Sequence, residues 1–207
     1  MINNRQEILF IYDVSDANPN GDPLDENKPR IDEETGINIV TDVRLKRTIR
    51  DYLYFYKGFS GEGDKDIFVR EVAAEKKGLK DGKARAKDFS NSKDEVLKRA
   101  IDIRLFGGVI PLDKDSITFT GPVQFNMGRS LNKVTVNHIK GTGAFASQEG
   151  KDNKTFREEY ILPYSLIAFH GIINENAAKE TNLTDEDIEL LNEAIWQGTK
   201  NLITRSK

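Results

Sequence analysis

The stretch Thr41-Asp-Val-Arg-Leu-Lys-Arg-Thr-Ile-Arg-Asp-Tyr-Leu-Tyr-Phe-Tyr-Lys-Gly58 decides the reading of this chain. Its spacing predicts a helix over 41–57, with Thr41 as N-cap and Gly58 as the stop. At 100° per residue Leu45, Ile49, Tyr52, Leu53 and Tyr56 share one face, so the helix needs a core to cover them. Lys46, Arg50 and Lys57 fall together on the adjoining flank, with Arg47 a step further round and Arg44 elsewhere on the wheel. Upstream, residues 6–14 form an apolar run that fits a buried strand. Between them, 15–36 is polar, and Asn18-Pro-Asn-Gly-Asp-Pro23 reads as a structured loop.

Downstream, 59–100 is rich in Gly, Lys, Asp and Ala, and it reads as a mobile, partly helical insertion with little to add to a core. Helical spacing returns over 93–105. Residues 115–126 alternate as a strand interrupted at Gly121-Pro122, and 159–173 give another, broken at Pro163. The segment 127–158 between them reads as a hairpin-like projection, with Val134 and Val136 as a short alternating piece. A last helix spans 184–200, with Thr184 as N-cap, Asp187 at N3, and Ile188, Leu191 and Ile195 inward, Leu202 continuing that face. The order β-α-β-β-α is α+β. It is that of a ferredoxin-like or RRM-like domain whose last strand would follow residue 207. The expectation is a single domain over 1–207, an open sheet edge, and high mobility in 59–92 and in the projection.

Composition narrows the chemistry. The 207 residues include no cysteine and two histidines, which excludes disulfides, thiolate catalysis and zinc-thiolate sites. No apolar run approaches the roughly 20 residues of a membrane span, and no signal core precedes the first strand, so a cytoplasmic protein is expected. The net charge of −3 argues against a uniformly basic nucleic-acid binder. That average hides two faces: 174–193 is strongly acidic, whereas 41–57 and 129–157 are basic.

Five segments together carry a resemblance. They are Asp16-Ala-Asn-Pro-Asn-Gly-Asp-Pro23, Thr41-Asp-Val-Arg-Leu-Lys-Arg-Thr-Ile-Arg50, Asp102-Ile-Arg-Leu-Phe-Gly-Gly108, Phe119-Thr-Gly-Pro-Val-Gln-Phe125 and Thr155-Phe-Arg-Glu-Glu-Tyr-Ile-Leu-Pro-Tyr164. In this order they resemble the Cas seven family of CRISPR effector proteins, the backbone subunit of Cascade, and within it the subtype I-B Csh two group. The resemblance implies an RRM-like palm, a fingers insertion at 59–107 and a thumb hairpin at 127–158. It implies copies stacked along a CRISPR guide RNA, other Cascade subunits as partners, target DNA engaged through the guide, no membrane, no cofactor and no catalysis by this subunit.

The residues are weighed against plainer accounts. From the residues alone, a solvated helix face is the better explanation of the cations on 41–57. The resemblance assigns Lys46, Arg47, Arg50 and, less directly, Arg44 to the guide backbone, where they would neutralise phosphates without reading bases. Replacing Lys46, Arg47 and Arg50 together by Glu is then expected to abolish guide loading and leave the fold intact. Gly121 and Gln124 fit either a strand bulge or a close approach to ribose and phosphate, and Arg129 follows where the projection begins. In the projection, Lys133, Lys140, Lys151, Lys154 and Arg157 exceed the acids, and Phe145 could stack on a splayed base. Asn18 and Asn20 either tie their loop to the backbone or touch RNA or a neighbour.

Asp16, Asn18, Asn20 and Asp22 alternate as in a calcium loop, but the twelfth position is Asn27 and no helix precedes it, so a metal site is not expected. His170, in a buried strand pattern, reads as a core histidine. Two other function classes remain open. One is a divalent-dependent target-RNA endonuclease of the type III kind, with Asp22 or Asp32 as the acidic residue. The other is a truncated decoy from a mobile element that joins a filament and blocks its growth.

Overall fold

The computed structural model describes residues 2–146 and 154–202, with side chains described outside 142–156. The chain divides into two compact units. One comprises residues 1–8, 45–125 and 171–201; the other comprises 9–44, 126–170 and 202–207.

The second unit is built on an antiparallel sheet. Its strands are β1 (Gln6–Ala17), β4 (Ile31–Asp32), β5 (Ile37–Val40), β9 (Gly128–Lys133) and β11 (Lys154–Ile173), in the spatial order β1-β11-β9-β5-β4. Between β1 and β4 lies a ribbon of β2 (Gly21–Asp22) and β3 (Lys28–Pro29), so the polar loop is indeed structured. Phe10, Val40, Ile161, Leu162, Ile167 and Phe169 are buried, and Tyr12 stacks between Phe10 and Phe169 with ring centroids 5.4 and 6.4 Å away. Burial pushes the Tyr12 phenol up to about 12, against the opposing pull of the Arg44 guanidinium. A raised phenol stabilises the fold below its unfolded value near 10, and that stability is lost as pH rises through the folded value. The denaturation midpoint should therefore fall as pH is raised from 10 toward 12, and Tyr12→Phe should remove that part of the slope.

Two expectations for this sheet fail. Strand β5 was not anticipated, and with it β1, β11, β9 and β5 pair within residues 1–207, so the element order read from the sequence was incomplete. The reason is Asn38, a polar residue that is fully buried in mid-strand. Its N–H donates to Ser130 Oγ at 2.9 Å, its Nδ2 donates to the Arg30 carbonyl at 2.8 Å, and its Oδ1 accepts from Ser165 Oγ at 3.2 Å. Second, Pro163 does not break β11, which runs for 20 residues. The pairing of β11 with β10 (Asn137–Ala146) ends at Ile161, and its pairing with β9 involves Ile167 and Ala168. In that interval the Asn132 side chain takes over the pairing: its Oδ1 accepts the Leu166 N–H at 2.9 Å and its Nδ2 donates to the Tyr164 carbonyl at 3.4 Å.

The hairpin is β10 on the first half of β11, in one register from Asn137↔Ile161 to Thr142↔Phe156 and shifted by the Ala146↔Lys154 pair. It starts later than the expected projection. Residues 128–133 are the sheet strand β9, and Val134 and Val136 lie outside any strand. His170 is exposed, which corrects its reading as a core residue.

The first unit carries the helices. These are α1 (Asp42–Tyr56, its first residues in the other unit), α2 (Gly82–Asp88), α3 (Lys93–Arg99), α4 (Ile101–Phe106), α5 (Glu175–Thr181) and α6 (Asp185–Lys200). Leu45, Thr48, Ile49, Tyr52 and Leu53 of α1 are buried, whereas Tyr56, expected inward, is 64% exposed. Helix α6 has the expected capping box, with the Asp187 N–H donating to Thr184 Oγ1 at 3.1 Å and the Thr184 N–H donating to Asp187 Oδ2 at 3.2 Å.

The reading of 59–100 as a coreless insertion is wrong. Phe68, Ala86, Phe89, Val96, Leu97, Ala100, Ile103, Ile110 and Phe119 form a buried cluster. Only Val96, Leu97, Ala100 and Ile103 show a period; the others are too far apart in sequence to do so, and the charged groups among them disguise the core. Asp66 is 2% exposed and Arg85 4%, and they pair with each other at 3.1 Å.

The alternating run 115–126 is two strands in different sheets. Strand β7 (Ser116–Thr120) pairs with β6 (Gly107–Pro111), whereas β8 (Val123–Phe125) pairs with Gly171–Ile173 at the end of β11. Gly121 makes the switch possible. A Cβ there would fall 2.1 Å from the carbonyl carbon and oxygen of Phe106. Backbone cannot yield as a flexible side chain can, so Gly121→Ala should cost about 3 kcal/mol or more, read as a lower urea midpoint.

Candidate nucleic-acid interface

Helix α1 holds the strongest sequence candidates. Its entry is fixed by Asn20, whose Oδ1 accepts from the Thr41 N–H at 2.8 Å and from Thr41 Oγ1 at 2.9 Å, while Thr41 Oγ1 accepts the Arg44 N–H at 3.2 Å. Asn18 is buried and donates from Nδ2 to the Asn27 carbonyl at 2.7 Å. Both asparagines therefore do the loop-tying work that was one of their two readings.

The cations on α1 differ in what they already hold. Arg50 is committed to the fold. Its Nε donates to Asp102 Oδ2 at 2.9 Å, and its guanidinium lies 5.3 Å from the Phe106 ring. Asp102 is fully buried and also accepts the N–H groups of Phe68 at 2.7 Å and Val69 at 3.0 Å. A wheel cannot distinguish such an arginine from a surface one, because the partner is far away in sequence. The expectation that an Arg50→Glu change would leave the fold intact is thus corrected. Lys46 sits over the same ring at 5.5 Å. Arg47 is 60% exposed and holds Asp51 one turn on, at 2.7 Å, an exposed i,i+4 pair worth only about 0.3–0.5 kcal/mol. Lys57 is engaged by Glu193 at 2.5 Å, which, with the Tyr52 hydroxyl, holds that carboxyl below its usual range. A phosphate can recruit the charge of Lys46 and Arg47 without unmaking the buried pair of Arg50 with Asp102.

Gly121 and Gln124 are used internally. The close approach at Gly121 is to Phe106 and Gly107 of the same chain, and Gln124 Nε2 donates to the Gly121 carbonyl at 2.8 Å.

In the second unit, Arg129 makes a long 3.6 Å contact with Asp32 and stays 58% exposed. Lys133 is exposed beyond it on β9. At the root of the hairpin the charges are largely matched: Lys140 meets Glu158 at 3.5 Å and Arg157 meets Glu159 at 2.5 Å. The root is tied to the 22–28 ribbon, since the Tyr160 hydroxyl donates to Glu26 at 2.7 Å and His138 stacks on the Tyr160 ring at 4.5 Å. Of the remaining candidates, Phe145 and Lys154 lie in strands whose side chains are outside the described set, and Lys151 lies outside the described residues.

The carboxylates nominated for catalysis also have structural duties. Asp22 holds Arg30 at 2.6 Å and accepts the Leu24 N–H at 3.0 Å. Asp32 accepts the N–H groups of Glu34 and Thr35, and hydrogen bonding by Thr35 holds its carboxyl below the usual range. Among the described residues, no three His, Asp or Glu side chains gather as a metal site.

A family model for CRISPR-associated protein Cas7 matches residues 4–207. The chain belongs to the Cas7 family. A relative, CRISPR-associated protein Cas7 of Haloferax volcanii, is 35% identical over 231 aligned residues, which take in 99% of this chain and 67% of that protein. Among solved structures, the fold is similar to a chain of a CRISPR RNA-guided surveillance complex in its pre-nicking state. The TM-score is 0.61 at 14% identity, covering 99% of this chain and 74% of the other. A chain of a second such complex gives 0.54 at 13% identity, covering 94% and 59%. At these identities the likeness of this Cas7 protein to the solved structures is one of fold and not of individual side chains.

Proposed function

We propose that this Cas7 protein is a non-catalytic, guide-RNA-binding backbone subunit of a type I-B surveillance complex, acting in the cytoplasm. Copies stack along the guide, beside other Cascade subunits, and present it for pairing with target DNA. Family membership over residues 4–207 carries the reading. In it, the second unit is the RRM-like palm, 59–107 are the fingers and the β10–β11 hairpin is the thumb. Lys46, Arg47 and Arg44 of α1, with Arg129, Lys133 and the hairpin cations, contact phosphate, while Arg50, Gly121, Gln124, Asn18 and Asn20 hold those groups in place. Duties within the fold for Asp22 and Asp32 favour the non-catalytic reading over an endonuclease.

A subunit that touches backbone must serve any guide. Fluorescence anisotropy with two guides of equal length and unrelated spacer sequence should give equal affinities, with a steep loss on raising salt. A strong preference for one spacer, or RNA cleavage that needs a divalent ion and disappears in Asp32→Ala, would overturn the proposal.

A further inference from the structure

The first unit holds a cavity that its own side chains leave open. About 180 Å³ of space lies between the outer side of α1 and the segment 67–71. Roughly 150 Å³ is already room for a benzene ring. On the α1 wall, Tyr54 and Phe55 meet edge to face with ring centroids 5.0 Å apart. The Arg70 guanidinium lies 5.5 Å from the Tyr54 ring and is held by Asp66, whose Oδ1 accepts from Arg70 Nε at 2.8 Å. The facing wall is fixed as well, because Asp102 accepts the N–H groups of Phe68 and Val69. The mouth is apolar: Phe55 is 70% exposed and Val69 53%. A preformed cleft with ring walls and a few polar groups at its edge is the usual form of a small-ligand site.

The polar edge selects the ligand. Arg50 and Arg70 line the cavity but are committed to Asp102 and Asp66. Arg47 also lines it and stays exposed, and its surface pair with Asp51 contributes little. It is therefore the cation that an incoming anion recruits at the mouth. Asp51 and Glu71 line the same edge and supply acceptors. A nucleotide answers all of these groups: its base is a flat ring, every base carries an N–H donor, and its phosphate is the anion. Aromatic rings and guanidinium planes are what proteins stack on unpaired bases. Stacking accepts any base, so such a site serves any spacer.

We propose that this cavity takes the base of a nucleotide against the ring of Phe55, with the phosphate at Arg47. The nucleotide is either free or a unit of the guide, and the guide as source rests on the function proposed above. NMR titrations compare AMP, UMP, ribose 5-phosphate and N-acetyltryptophanamide in the parent, Phe55→Ala and Phe55→Tyr. Phe55 is exposed, and circular dichroism checks folding; Val69→Glu, which sets a carboxylate in the mouth, replaces Phe55→Ala if that variant unfolds. A second arm measures the affinity of the parent and of Phe55→Ala for two guides of equal length, one intact and one abasic throughout its spacer.

AMP and UMP should bind about tenfold more tightly than ribose 5-phosphate, or better, the worth of one stacked base. Phe55→Ala should erase that difference and Phe55→Tyr should keep it. If the intact guide also outbinds the abasic one in the parent and that advantage shrinks in Phe55→Ala, the guide is the source; if its advantage is the same in both proteins, the free nucleotide is. A base contribution that depends on Phe55 in neither arm would overturn the proposal while leaving guide binding standing. N-acetyltryptophanamide bound as tightly as AMP would assign the cavity to a protein side chain and overturn it equally. If the parent binds no guide, the function reading fails, and the titrations with AMP and UMP alone decide the cavity.

Discussion

Arg50→Glu is expected to unfold the first unit at temperatures where the parent is folded. The substitution sets a second carboxylate beside Asp102, which has no exposed surface and which also anchors the N–H groups of Phe68 and Val69. Removing one partner of a buried pair costs about 3–5 kcal/mol, and adding a like charge exceeds that. Whole-domain stabilities are about 5–15 kcal/mol, so the loss takes much or all of the margin. Asp102→Ala should be destabilising on the same scale. Arg50→Ala and Asp102→Ala combined should cost clearly less than the sum of the two, because each single variant already strands the other group. Urea denaturation of the four proteins measures this cycle. Additive losses, or a folded Arg50→Glu protein with the parent's midpoint, would show that the pair does not hold the 66–69 segment against α1 and α4.

The second large effect is on RNA. Lys46→Glu and Arg47→Glu together reverse two charges on α1 and leave Leu45, Ile49 and Leu53 untouched. The exposed Arg47–Asp51 pair and the placement of Lys46 over the Phe106 ring each contribute little to stability. The fold should persist while guide affinity drops on the order of a hundredfold, the worth of two charge-assisted hydrogen bonds. The slope of log affinity against log salt should shrink in magnitude by about 0.7 for each phosphate that is no longer neutralised. A folded double variant with the parent's affinity and slope would place the guide elsewhere.

The contrast between these two experiments shows what a sequence conceals. Lys46, Arg47 and Arg50 lie within one and a half turns and look alike on a wheel, yet Arg50 belongs to a buried pair with a residue 52 positions away. Nothing local marks it. Helices α1 and α6 were legible because a long apolar period and a side-chain cap are local signals. Strand β5 was not, because its central Asn38 is polar and takes its partners from Arg30, Ser130 and Ser165. The core of 59–119 was hidden for the same reason: Asp66, Arg85 and Asp102 are charged and buried, the first two paired with each other and Asp102 with Arg50, a state that composition reads as solvent-facing. Gly121 was visible as an interruption, but that it hands the chain from β7 to β8 depends on the backbone of Phe106.

The central claim is that copies of this chain add along a guide RNA. Native mass spectrometry of the protein saturated on guides of increasing length tests it most directly. The account predicts a copy number that rises in equal steps with guide length and does not depend on spacer sequence. A fixed copy number at every length, or no complex with RNA at all, would contradict it.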